Sequence, residues 1–353
     1  MNEGIPKAEE PQPVLTVGIT YNLRQWTEDG DDRYEEYDSI ETISSLETEI
    51  RKIGFSPLRL EQDEHFLETL SRVRPDFVLN IAEGRGGGRG RESQVPCILE
   101  SLDIPFTGSD PVALALTLDK HLTRTVLAAG HLPVPEGCMI SPGGELAEAE
   151  MLLKRHGKVI VKPRWEGSSK GVFADSTTTD AERLPFLVSR IWERYAQAAL
   201  VEEYLPGDEY TVSLLGNPPE AVGLMRIRSD RYRENFLYSL ENKRDPDWMD
   251  HMVYEGRSAL EPSVTAFLES RAVRAFEVLE LRDLARIDFR TDVQGVPRII
   301  DVNPLPGLRP GYSDFPISCR VNGVAYDDII RGLFDTALRR CGLLEPLRLR
   351  VAS

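Results

Sequence analysis

Cysteine is scarce in this chain. Four residues in 353 (Cys97, Cys138, Cys319 and Cys341) are scattered without the paired spacing that holds a metal. Each lies in apolar or helix-like sequence, so reduced thiols partly in the core are expected, not a disulfide framework. Positive charge is also short. A net charge of −16 leaves no general basic face for a phosphate backbone, which argues against a nucleic-acid partner and against nonspecific binding to an anionic membrane. No apolar run approaches membrane-spanning length, and residues 1–13 are polar and Pro-rich with no basic segment leading into an apolar one. The expectation is a soluble, cytoplasmic protein. Internal repeats and low-complexity tracts are lacking, and no Walker A motif occurs, which excludes a P-loop enzyme.

What is present is globular: 41% apolar residues with charge of both signs dispersed, over a length suited to two or three packed α/β units. Residues 14–19 (VLTVGI) read as a strand, Ile40, Ile43, Leu46, Ile50 and Ile53 recur at helical spacing up to Gly54, and FVLNI at 77–81 reads as a second buried strand. A Gly-rich loop and a helix through Ile98 and Leu99 follow. This alternation gives a parallel sheet with ligand loops at the strand carboxyl ends. A helix containing Asp119 and Lys120 comes next, then strands KVIVKP and ALVEEYL, then the β runs EYTVSLLG, AVGLMRI, LARIDFRT and RIIDVN. Tyr326, Ile329, Ile330, Leu333, Phe334 and Ala337 form one stripe of a C-terminal amphipathic helix. The expected organisation is a polar tail (1–13), an N-terminal Rossmann-like unit (14–110), a central unit (111–205) and a C-terminal unit (206–345).

Residues 285–308, ARIDFRTDVQGVPRIIDVNPLPGL, carry the clearest chemistry. They read as two strands joined by a turn at Gly295. Residues two apart share a strand face, so Arg286 and Asp288 point together, as do Asp301 and Asn303. Three oxygen ligands beside a guanidinium suit a hard divalent cation and the phosphate oxygens that it bridges. Lys162 ends an apolar strand that buries it, and a buried lysine is usually paired with an anion. Other stretches leave alternatives open. EGRGGGRGRES (83–93) fits a phosphate cradle or a flexible loop with solvated arginines, since Arg89 stands where G-x-G-x-x-G needs its third glycine. RWEGSSKG (164–171) fits an anion-binding loop or a turn, and Glu202 and Glu203 in VEEYLPGDE fit a solvated edge or one side of a hinge at Leu205 and Pro206.

In order, DK, VKP followed by GSS-x-G, EEYLPGDE, R-x-D and D-x-N-P-x-P-G resemble the ATP-grasp superfamily, and more closely the D-alanine–D-alanine ligase family, over nearly the whole chain. The resemblance implies an α/β (α+β) ATP-grasp fold, with ATP between two antiparallel sheets that follow a parallel-sheet domain. It implies a cytoplasmic ATP-dependent carboxylate–amine ligase of peptidoglycan biosynthesis. Such an enzyme joins two small amino-acid or dipeptide-like substrates through an acylphosphate and releases ADP and phosphate. By similarity Lys120 and Lys162 bind ATP, Glu202, Glu203, Tyr204 and Leu205 form the adenine hinge, and Glu209 accepts from the ribose. Ser168 and Ser169 close over the phosphates, and Lys243 stands on a mobile loop that seals the site. Asp288, Asp301 and Asn303 match the ligands of Mg²⁺ (two ions, with Mn²⁺ as a substitute), and Arg286 matches the arginine that steadies the tetrahedral oxyanion. A homodimer is the assembly that the family suggests.

Departures from the family pattern concern the substrates. Glu35, in EEYDS, is the counterpart of the glutamate that grips the first amino acid, with Glu36 and Asp38 as rivals. Glu83 stands where the family has histidine, and Arg244 where it has tyrosine. Gly307, Ser313 and Asp314 fall at the acceptor end. An aspartate facing an acceptor carboxylate would cost about 4 kcal/mol at an effective dielectric near 20. The acceptor is therefore expected to carry an extra cation or to lack a free carboxylate, unless Asp314 points away. The alternatives are a specialised amino-acid or dipeptide ligase with an acceptor other than D-alanine, a carboxylate kinase on the same fold, and a nucleotide-binding regulatory module without turnover.

Overall fold

A computed structural model describes residues 15–25, 31–230, 237, 239–240, 244 and 247–343. The expected polar tail and Lys243 lie outside the described residues.

β1 (Thr16–Tyr21) is a nearly continuous apolar run, as a strand covered on both faces must be. α1 (Ile40–Ile53) begins at Ser39, whose hydroxyl accepts from the Thr42 N–H, and ends at Gly54 with φ +101°, a conformation that glycine adopts without strain. β2 (Ser56–Glu61), α2 (Phe66–Val73) and β3 (Phe77–Asn80) follow, and the three strands form a parallel sheet in the order β2-β1-β3. α3 (Gln94–Ser101) closes this part.

The expected helix through Asp119 and Lys120 is two helices, α4 (Pro111–Leu118) and α5 (Lys120–Ala129). Asp119 is extended at φ −85° and ψ 93°, and its carboxylate accepts from the Leu122 N–H. An aspartate that caps the next helix ends the one before it, which spacing alone did not reveal.

Two antiparallel sheets follow. β4 (Gly137–Ile140), β5 (Val159–Pro163), β6 (Thr177–Thr178) and β7 (Ala199–Glu203) are ordered β4-β7-β5-β6, and α6 (Ala147–His156) and α7 (Leu184–Tyr195) cover one face with apolar side chains. The second sheet comprises β8 (Glu209–Leu215), β9 (Glu220–Ser229), β10 (Met252–Gly256), β11 (Leu284–Thr291) and β12 (Pro297–Asn303), ordered β10-β9-β8-β11-β12. α8 (Pro262–Val278) packs on the face that carries Val212, Ile287 and Phe289. The alternate residues Arg286, Asp288 and Arg290 are thereby sent to the opposite face.

α9 (Asp314–Arg320) and α10 (Tyr326–Arg340) return the chain to its first sheet. Leu333, Phe334 and Ala337 share one buried cluster with Ile19, Ile43 and Phe77. No helix among the described residues is long and apolar enough to cross a membrane.

Candidate active site

β11 and β12 run antiparallel with Arg286 opposite Asn303 and Asp288 opposite Asp301, and the register shifts just after Asp288. The Arg286 fork holds Asp288, with Nε at 3.0 and 3.1 Å from its two oxygens and Nη2 at 2.8 Å, while the Thr211 hydroxyl donates to the same carboxylate at 2.8 Å. Lys120 Nζ donates to Asp301 at 2.6 Å, and Asn303 Oδ1 accepts from the Leu305 N–H at 2.9 Å. Burial raises the Asp288 pKa against the opposing pull of Arg286. For Asp301, burial is outweighed by Lys120, and its carboxyl stays below the usual range.

Among the described residues no group of three or more His, Cys, Asp or Glu is placed to hold a metal. The donor set at β11 and β12 is two carboxylates and one amide. All are hard oxygen donors, which fits a Mg²⁺ ion recruited together with nucleotide phosphates better than an all-protein cage.

One side of this cluster opens into a cavity of about 150 Å³ lined by Lys162, Glu202, Glu203, Tyr204, Leu205 and Glu209 among others. Lys162 is paired with Glu202 at 2.7 Å, the anion that its burial demanded. Glu202 is buried and is no solvated edge. Glu203 accepts from the Glu136 N–H at 2.8 Å and faces His156. The Tyr204 ring lies under Lys158 Nζ at 4.0 Å and its hydroxyl accepts from Arg290, which also pairs with Glu209 at 3.4 Å.

The loop 164–171 forms the cavity rim. Ser168 and Ser169 have φ of +49° and +61°, strained for side-chain-bearing residues. The Gly167 N–H donates to Glu36 at 2.6 Å, and a Cβ at Gly167 would stand 2.5 Å from that carboxylate. At Gly171, with φ +73°, a Cβ would come within 2.3 Å of Pro163.

On the other side lies a second cavity of about 190 Å³, room for roughly six waters. The two share Lys120, Glu166, Gly167, Ser168, Arg286, Asp301 and Asp314 as a common wall. Glu35 lines the second cavity but is gripped by Arg24 at 2.5 Å and by Arg244 at 2.7 Å, and Arg244 also reaches the Asp31 carbonyl. Glu83, Gly307 and Ser313 line it as well, with Ser313 Oγ accepting from the Arg309 N–H. Asp314 opens α9 and stands 3.5 Å from Arg286 Nη1, so its charge is matched within the protein.

Several charged residues here escaped the sequence. Arg91 is only 3% exposed, donating to the Glu36 carboxylate at 2.8 and 3.0 Å and to the Trp165 carbonyl, whereas Arg89 in the same loop is an exposed partner of Asp119. Lys170 completes the cluster with Glu36 and Glu166. Although burial opposes its charge, Arg91 and Lys170 hold Glu36 below the usual carboxylate range. Glu92 also lines the cavity, and burial first, then neighbouring Glu36 against the pull of Arg91, pushes it up to about 8. Glu83 is raised by burial and then by Glu92, and Asp38 is pushed up to about 7 by burial.

A parallel-sheet domain followed by two antiparallel sheets, with a charged cleft where those sheets meet, defines the ATP-grasp fold. Solved structures agree. The D-alanine–D-alanine ligase of Bacillus anthracis, complexed with ATP, superposes with a TM-score of 0.72 at 20% identity, covering 93% of this chain and 99% of that one. The VanG D-Ala:D-Ser ligase of Enterococcus faecalis reaches 0.69 at 16% identity over 92% and 100%. Residues 144–335 match the family described as D-ala D-ala ligase C-terminus. The D-alanine–D-alanine ligase of Carboxydothermus hydrogenoformans is 29% identical over 298 residues, 83% of this chain and 91% of the relative. The uncharacterized protein y4sG of Sinorhizobium fredii is 30% identical over 305 residues, 84% and 87%. The chain belongs to the D-alanine–D-alanine ligase family.

Proposed function

We propose that this protein is an ATP-dependent carboxylate–amine ligase that joins two small amino-acid substrates through an acylphosphate and releases ADP and phosphate. The observation that carries this reading is the common wall. Arg286 and Asp301 face both cavities, so a nucleotide in one and a carboxylate in the other meet at the same side chains. D-alanine is the substrate that the relatives' names put first.

In this reading the hinge 202–205 and Glu209 hold the nucleoside, and Lys162 and Lys120 turn from Glu202 and Asp301 to the phosphates. Ser168 and Ser169 donate from the loop. Mg²⁺, held by Asp288, Asp301 and Asn303, supplies charge neutralisation on crowded phosphate oxygens. The substrate carboxylate attacks the γ-phosphoryl group in line, giving an acylphosphate and ADP. The amine of the second substrate then attacks the acyl carbon, and phosphate leaves as the amine proton is lost. Arg286, swinging its fork from Asp288 and Asp314, steadies the tetrahedral oxyanion between these steps. The loop 164–171, tied to Glu36, keeps water from the acylphosphate. Units at 14–110, 111–205 and 206–345 and a homodimer go with this reading, and sedimentation checks the latter.

The experiment is Mg·ATP-dependent phosphate release with D- and L-amino acids, singly and in pairs, with products identified by mass. Amide product matched one-to-one with phosphate supports a ligase. Phosphate release that does not depend on an amine makes it a carboxylate kinase.

A further inference from the structure

The substrate cavity is lined by more carboxyl groups than the protein pairs with cations. Of its carboxylates, Glu35 is held by Arg24 and Arg244, Glu36 by Arg91 and Lys170, Glu166 by Lys170, Asp301 by Lys120 and Asp314 by Arg286, while Asp38 has no cation but shares a hydrogen bond with the Thr42 side chain. Glu92 differs. It is 8% exposed and lines the cavity, yet among the described residues its carboxylate has no hydrogen bond and no ion pair. Glu83 lines the same cavity, also without a hydrogen-bond or ion-pair partner among the described residues, and close enough to Glu92 for each charge to act on the other. The cations that act on Glu92 are committed elsewhere, Arg91 to Glu36 and Lys120 to Asp301, and Arg309 of the same cavity lies over the Tyr312 ring.

A buried carboxylate with no partner is costly, and a ligand that brings the missing cation recovers that cost on binding. A neutral amino acid brings one ammonium together with a carboxylate of its own, so it cannot match both glutamates. We propose that Glu83 and Glu92 form a cation subsite and that one of the two substrates is a diamino acid or similarly small amine with a second positive group. This rests on the ligase reading and supplies its substrate class. Burial pushes Glu92 up to about 8 in the free protein, so a bound cation would also draw a proton off it.

The test uses the full-length protein with Mg²⁺ and ATP, or a non-hydrolysable analogue for binding. The probes are 2,4-diaminobutyrate and ornithine in both enantiomers, each beside its uncharged isostere, norvaline and norleucine. The expected result is a preference of at least about 10-fold for the diamino member in calorimetric binding and in kcat/KM, the scale of a hydrogen bond to a charged group. Glu92→Gln should collapse that ratio, and Glu83→Gln should reduce it. Thermal unfolding checks that each variant is folded, and the wild-type ratio stands without either.

Equal or better use of the isosteres by the wild type overturns the subsite and leaves the ligase reading intact. Loss of kcat in Glu92→Gln with every substrate alike, at an unchanged ratio, also overturns it and makes Glu92 an acid–base group. Preferential binding of diamino acids with no amide product retains the subsite and removes the ligase reading.

Discussion

On the nucleotide side of the shared wall, Lys162 meets Glu202 at 2.7 Å, Arg290 meets Glu209 at 3.4 Å and Arg286 grips Asp288 with its fork. On the side proposed for the substrates, Glu92 and Glu83 face a cavity in which, among the described residues, no cation is paired with them. The first region is a set of internal ion pairs, each able to trade one partner for a phosphate oxygen or a metal ion. Its charges are held in position at little cost before the ligand arrives. The second region is incomplete until something positive enters. A site with matched charges binds by exchange, and a site with an unpaired carboxyl group binds by completion.

That contrast can be broken from the exchange side first. Asp288→Asn removes a charge and almost no volume from a group that accepts from Arg286 and would ligate the proposed metal, so turnover should fall to the detection limit while circular dichroism and Tm stay near wild type. Near-normal phosphate release would misplace the metal cluster. Arg286→Lys keeps the charge and loses the planar fork. It should cost on the order of 10²–10³ in the acyl-transfer rate, with a much smaller change in ATP affinity. Equal losses in single-turnover phosphorylation and in amide formation would make Arg286 a nucleotide ligand only. Gly167→Ala places a methyl 2.5 Å from the Glu36 carboxylate and should displace the loop, with losses of up to about 10² in kcat/KM for ATP. An unchanged KM for ATP would mean that the loop does not close over the phosphates.

The smallest effect sharpens the completion side. The folded protein keeps the Glu92 proton up to about pH 8, whereas the ordinary glutamate value is 4.5. Between those values the folded state holds a proton that the unfolded state has lost, so stability falls as pH rises through this window and levels off above it. Burial, then Glu36 and Asp301, push Glu92 upward, and Arg91 and Lys120 pull it down. The Tm of Glu92→Gln relative to wild type should therefore rise from pH 5 to pH 8.5. A flat difference across that range would mean that Glu92 is ionised throughout.

Much of the nucleotide side could be read from local sequence, because local rules decide it. Residues two apart in R-x-D and D-x-N must share a face, and the turn at Gly295 sets Asp288 opposite Asp301. A lysine at the end of VIVKP must find an anion, and it does. The partner's identity was harder to read, since Glu202 is brought to Lys162 only by the pairing of β5 with β7. The substrate side depends on contacts that no local pattern encodes. Arg89 and Arg91 lie two residues apart in one Gly-rich loop. Only the second is buried, because Glu36 and the Trp165 carbonyl arrive from 55 and 74 residues away. Glu92, at the entrance to a helix, looks like any favourable acidic first-turn residue until the cavity around it is seen.

The packing of α10 bears on how the protein is made. The Phe334 ring lies tilted at 5.8 Å from Phe55 and 5.9 Å from Phe77, closing a core with walls from residues 15–81 that are synthesised before it. At roughly 5–20 residues per second, the first sheet waits on the order of tens of seconds for the helix that covers it. During that interval its apolar face is an aggregation hazard. A ribosome that stalls just before residue 326 therefore leaves more than a shortened tail: it leaves the core over the first sheet unfinished.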